Sequence, residues 1–143
     1  MTTLTEQQPA AVERDGRTDF DFYVGTWKIH SRRLRERLKG CTEWETCGGI
    51  AEMRSILGGL GNVDEITFAR ASGPLHGITL RLYDPASRQW SIYWADSVSG
   101  VLQIPMIGSF ENGRGEFYSQ EPFEGRAIFS RFIWSEITPT SCR

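Results

Sequence analysis

An all-β fold, an antiparallel meander able to close on itself as a barrel, is what this sequence predicts, and three observations predict it. Fifteen Gly and six Pro are scattered between short apolar runs, which favours many strands and turns over long helices. The connectors carry turn chemistry at short, regular spacing: "LGGLGN" at 57–62, "ASGP" at 71–74, "DPASRQ" at 84–89, "ENGRG" at 111–115 and "EPFEG" at 121–125. None of them leaves room for a crossover helix, so neighbouring strands pair antiparallel, and closure into a barrel removes the exposed edges.

The elements follow in order. Residues 1–17 are polar and aperiodic and read as a flexible tail, leaving 18–143 as a single domain. In "TDFDFYVGTW", Thr18 with Asp21 three residues on can cap a short helical turn, which Gly25 ends. Phe20, Phe22 and Tyr23 then pack beneath the main body. Strands are expected at about 26–38, 43–57, 62–70, 75–84, 89–96, 101–111, 115–121 and 125–137. With 39% hydrophobic and 12% aromatic residues, the chain has the material for a real core.

The hairpin "TLRLYDPASRQWSIYW" is the clearest local unit, and two registers are open to it. A four-residue loop from Pro85 to Arg88 pairs Tyr83 with Trp90 and groups Arg81, Tyr83, Trp90, Ile92 and Trp94 on one face. A three-residue loop groups Ile78, Leu80, Leu82, Trp90, Ile92 and Trp94 instead, because a one-residue slip exchanges the faces. Asp-Pro-Ala-Ser favours the four-residue form, with Pro at the second position of a type I turn.

"HSRRLRERLKG" (30–40) is strongly basic: residues 28–39 carry +5 in a chain of net charge −2, while 43–65 carries −4. A basic strand followed by acidic ones is what cross-strand pairing produces. As a helix the run is poor, since Ile29 falls opposite Leu34 and Leu38. A pI of about 5.7 and the adjacent acids speak against a nucleic-acid partner. Read as a strand, period-two alternation from an inward Trp27 carries Ile29, Ser31 and Arg33 inward. An inward arginine needs a carboxylate or a bound anion, and few acids share the inferred faces, so Arg33 and Arg81 become candidate anion anchors.

"GTW" at Gly25–Trp27, opening the first strand after an aromatic turn, resembles the Gly-x-Trp signature of lipocalins and their calycin relatives. Residues 19–137, with "ILGGLGNVDE" and "RFIWSEI", are similar to a bacterial lipocalin-like family of unknown function. The resemblance implies an up-and-down barrel of eight to ten strands around a small-molecule cavity, with Trp27 plugging the closed end. In calycins a late strand returns an arginine across that Trp. Here either Arg131 or Arg143 takes the role, or a final strand is absent after "TPTSCR"; in that case an exposed edge favours dimerisation.

The candidate ligand-binding residues are thus Arg33, Arg81, Tyr83, Trp94 and Arg131, with Gly25 and Trp27 structural. The expected function is binding of a small, largely apolar, aromatic or anionic ligand, as carrier or sensor. The alternative is a cavity enzyme, an isomerase, cyclase or hydrolase, using His76, Tyr83 or an arginine. No cofactor or metal is implied: the "CTEWETC" spacing matches no zinc signature, and "GGLGN" lacks the Lys-Ser/Thr of a phosphate loop. No signal peptide and no apolar run of membrane-spanning length are seen, and three Cys fit reduced thiols, so a cytoplasmic monomer or homodimer is expected, with no membrane partner.

Overall fold

The computed structural model describes residues 14–143. Eight strands form one sheet in strict sequence order, each antiparallel to the next. They are β1 (Gly25–Leu34), β2 (Trp44–Ile56), β3 (Gly61–Arg70), β4 (Gly73–Asp84), β5 (Gln89–Asp96), β6 (Met106–Glu111), β7 (Arg114–Phe123) and β8 (Arg126–Trp134). The all-β, up-and-down expectation holds. The sheet curls into a half-barrel whose concave face carries the core.

The barrel is not closed by a ladder. Closure of the meander into a barrel sets strand 125–137 beside 26–38, but no backbone pairing joins β8 to β1 among the described residues. Side chains bridge the two edges instead. At one end Tyr23 stacks on Trp27 of β1, with ring centroids 5.1 Å apart, and meets Trp134 of β8 edge-on at 5.0 Å. At the other end, the loop after β1 reaches the β7–β8 hairpin: Arg37 lies 4.8 Å over Phe123, and Lys39 pairs with Glu124 at 3.1 Å.

The closed end is plugged by Phe20 rather than Trp27. Phe20 is 1% exposed, and its ring contacts Trp90 (5.0 Å), Phe110 (4.8 Å), Phe117 (5.9 Å) and Trp134 (5.4 Å). Trp27 is half-buried, its Nε1 donating to the Tyr23 carbonyl at 2.8 Å. Phe20 sits between two 3-10 turns, Gly16–Thr18 and Asp21–Tyr23. Asp15 caps the first through the Arg17 amide, and Phe20 precedes the second with no side-chain cap, so the expected Thr18–Asp21 cap does not form. Residues 15–17 therefore belong to the fold and not to a tail; residues 1–13 of that expected tail lie outside the described residues.

The β4–β5 hairpin adopts the four-residue loop. Tyr83 faces Trp90, Asp84 accepts from the Ala86 amide (2.9 Å) and the Ser87 hydroxyl (2.8 Å), and Arg88 takes a left-handed φ of 57°. β6 starts at Met106, later than the expected 101. Asp96 draws the chain away by accepting from the Val98 and Ser99 amides at 3.0 and 3.1 Å. The chain beyond β8 folds back, Ser135 and Arg143 exchanging backbone hydrogen bonds at 2.8 Å, with Ile137 and Cys142 packed on the core.

The arginine run resolves into paired surface charge. β1 ends at Leu34, and Leu38 (φ 60°) and Gly40 (φ 67°) turn the chain. Arg33 pairs with Glu45 at 3.3 Å, Arg35 with Glu43 at 3.5 Å and Arg37 with Glu121 at 3.8 Å, while Arg32 covers Trp44 at 4.4 Å. Exposed pairs of this kind contribute little to stability.

Candidate functional site

The concave face carries a partly open cavity of about 470 Å³. One side carries the Arg37–Glu121 pair, and its walls are otherwise largely apolar and aromatic, with Ile66 and Phe68 from β3, Ile92 and Trp94 from β5, Met106 from β6 and Phe132 from β8. Period-two alternation delivers each of these side chains to the same face. Trp94 lies across Gly77, where an added Cβ would overlap its ring; a side chain at 77 would thus displace the wall. A second space of about 650 Å³ forms the mouth, shares Phe68 and Trp94 with the first, and is rimmed by Arg33, Arg35, Arg70, Glu45 and Asp96.

The floor is polar. β3–β4 register sets Asn62 opposite Arg81 and Asp64 opposite Thr79, all four buried. Arg81 is 2% exposed; its Nη1 donates to Asn62 Oδ1 at 2.9 Å and its Nη2 to Asp64 Oδ2 at 2.7 Å. The other Asp64 oxygen accepts from the Thr79 amide at 2.9 Å. Phe20, Tyr23 and Trp134 surround the guanidinium, their centroids 5.1–5.4 Å from its central carbon. A cation is tolerated here because a carboxylate and aromatic faces replace its hydration. Two buried donors find no acceptor among the described residues: Arg81 Nε and Trp134 Nε1.

Burial pushes the Tyr23 hydroxyl up to about 12, with the Asp64 charge adding to the effect and Arg81 opposing it. A raised phenol pKa means that the folded state favours the neutral form. That stability is complete below the ordinary pKa of about 10 and is lost as pH rises towards 12. Between about pH 9 and pH 11.5, chemical denaturation should show wild type losing about 2 kcal/mol more than Tyr23→Phe. Equal losses in the two proteins would mean that the hydroxyl is not buried in this way. At the mouth, the indole N–H of Trp94 donates to Asp96 at 2.9 Å and, with the turn amides, holds that carboxyl below its usual range.

The expected site residues divide. Arg81 and Trp94 meet at the cavity, as floor and wall. Arg33 lies at the rim, exposed, and the mouth rather than the cavity is where it meets Trp94. Tyr83 is on the expected face but too deep: its hydroxyl accepts from the Gly16 amide at 2.9 Å, and neighbouring Trp90 donates to the Gly16 carbonyl at 3.1 Å. Both are absorbed by the plug. Arg131 is exposed and sits opposite Tyr118, one residue out of phase with inward Ser130 and Phe132. Arg143 is also exposed and pairs with Glu136 at 3.8 Å, so the arginine packed against the closed-end aromatics is Arg81. Gly25 opens β1 at φ 123°, a backbone conformation suited to glycine.

The premise that inward arginines lack acidic partners is corrected by Asp64 and Glu45. Phe68, on the cavity wall, and Asn62 and Asp64, the buried partners beneath Arg81, are residues that sequence reasoning missed. One signal was available: in "GNVDEITF", residues 62 and 64 are polar in phase with apolar 66 and 68, a pattern that asks for a buried partner. His76 is exposed, its Nδ1 3.1 Å from the Thr67 hydroxyl, and does not line the cavity.

No group of three or more His, Cys, Asp or Glu side chains is placed to hold a metal among the described residues, and none of their helices is long and apolar enough to cross a membrane. No curated protein matches the chain. Residues 17–119, from the first 3-10 turn into β7, match the model of a family described as "protein of unknown function (DUF1579)", and the chain belongs to that family.

Proposed function

We propose that this protein binds a small, largely apolar molecule inside the half-barrel, as a cytoplasmic carrier or sensor. The observation that carries the reading is the cavity itself: about 470 Å³ of space walled by Phe68, Trp94, Phe132 and aliphatic side chains, in a sheet whose closed end is densely packed. Space of that size in the core of a curled sheet suits one flat or aromatic ligand. The lipocalin-like features of the sequence, Gly25-x-Trp27 opening an antiparallel meander, support the same reading. An anionic end, where the ligand has one, lies at the rim beside Arg33, Arg35 and Arg70.

Binding is favoured over catalysis by where the acid–base candidates sit. His76 is turned away from the cavity, and the Tyr83 hydroxyl is held by Gly16. Protein purified gently from its own host and sprayed under native conditions should carry a small-molecule adduct. Met106→Trp, which fills the cavity, should lose it while keeping the fold. An adduct retained equally by the filled variant, or no adduct in the wild type, contradicts the proposal.

A further inference from the structure

We infer that Trp94 and Phe68 form a stacking platform for a flat aromatic ring system, seated where the cavity meets the mouth. The inference rests on the cavity-binding reading and names its ligand class. Of the residues that line the two spaces, Phe68 and Trp94 are the pair that borders both. Each ring lies against a glycine of a neighbouring strand. A methyl group on Gly77 of β4 would overlap the benzo carbons of Trp94, and one on Gly49 of β2 would stand 3.1 Å from Phe68 Cδ1. Bare backbone behind each ring lets it lie close to the sheet, with the shared space before it.

Neither ring has an aromatic or cationic partner among the described residues, and this sets them apart from the other indoles. Trp90 and Trp134 pack on Phe20, Trp27 stacks on Tyr23, and Trp44 lies under Arg32. Trp94 is also held in place. Its indole N–H donates to Asp96 at 2.9 Å, and the Val98 and Ser99 amides donate to that carboxylate in turn. A ring fixed in advance loses little freedom when a ligand stacks on it. Stacking adds to the gain from buried apolar area, so an aromatic ligand is favoured over an aliphatic one of similar size against the same walls. A cation suits the face of an indole too, but at the mouth Arg33, Arg35 and Arg70 outnumber Glu45 and Asp96. The favoured ring is therefore neutral or anionic.

Calorimetric titration of the full chain with 2-acetonaphthone and with 2-decanone, two ketones of similar size, tests this. Trp94→Leu keeps an apolar wall and removes the ring. It should weaken 2-acetonaphthone about two- to ten-fold more than 2-decanone, the usual worth of one aromatic pair. Phe68→Leu, on a different strand, should show the same selective loss, whether or not the Trp94 variant folds well. Trp94→Phe, which keeps a smaller ring, should recover part of the selectivity. Equal losses for the two ketones in Trp94→Leu and in Phe68→Leu would overturn the platform and leave the cavity-binding reading in place. If neither ketone binds wild type, the cavity-binding reading itself fails, and the platform with it.

Discussion

Replacing Phe20 by Ala should cost about 3–5 kcal/mol, the range for truncating a buried aromatic. Trp90, Phe110, Phe117 and Trp134 all pack on its ring, and it is 1% exposed. The turn that carries it also places Tyr23 between Trp27 and Trp134, at the two unpaired edges. The loss should therefore exceed that for Trp27→Ala, whose ring is only half-buried. Urea denaturation of the two variants compares them directly, and a larger loss at Trp27 would return the plug to the Gly-x-Trp motif.

The second large effect is at the floor. Asp64→Ala strips the buried guanidinium of its carboxylate and should cost about 3–5 kcal/mol, the range for breaking a buried pair from one side. Arg81→Met alone is also destabilising, because Asp64 then keeps only the Thr79 amide at 2.9 Å. Replacing both, Asp64→Leu with Arg81→Met, should recover most of the loss, since a buried pair exchanged for apolar residues is often neutral. Additive losses in the double variant would show that the two residues act independently.

The strand order and the inward position of Arg81 and Trp94 were legible because they depend on local chemistry. Asp84-Pro85 sets a loop length, loop length sets register, and register sets every face downstream. What was not legible depends on depth and on distant segments. Alternation gives the face of Tyr83 but not its distance from the closed end; that is decided by Gly16, sixty-seven residues away in sequence. In β8 the aromatics Phe129, Phe132 and Trp134 disagree in parity, so alternation cannot choose a face. The structure puts Phe132 and Trp134 on the cavity side, Phe132 still 39% exposed, and leaves Phe129 83% exposed on the other face with Arg131.

Asp64 escaped for a related reason. Its role needs the β3–β4 register, where Arg70 faces Gly73 across a two-residue turn, and "ASGP" alone does not fix that pairing. The missing closure is also invisible to local pattern, because β1 and β8 each read as an ordinary strand. Side chains rather than a ladder connect them: Tyr23 between Trp27 and Trp134, and Arg37 on Phe123 and Glu121.

Ligand binding inside the concave face is the central claim, and intermolecular nuclear Overhauser effects from bound 2-decanone to ¹³C-labelled protein test it most directly. Contacts from the ligand chain to Phe68, Ile92, Met106 and Phe132 are predicted. Contacts confined to the exposed Ile50, Phe129 or Val101, outside the cavity lining, would contradict it.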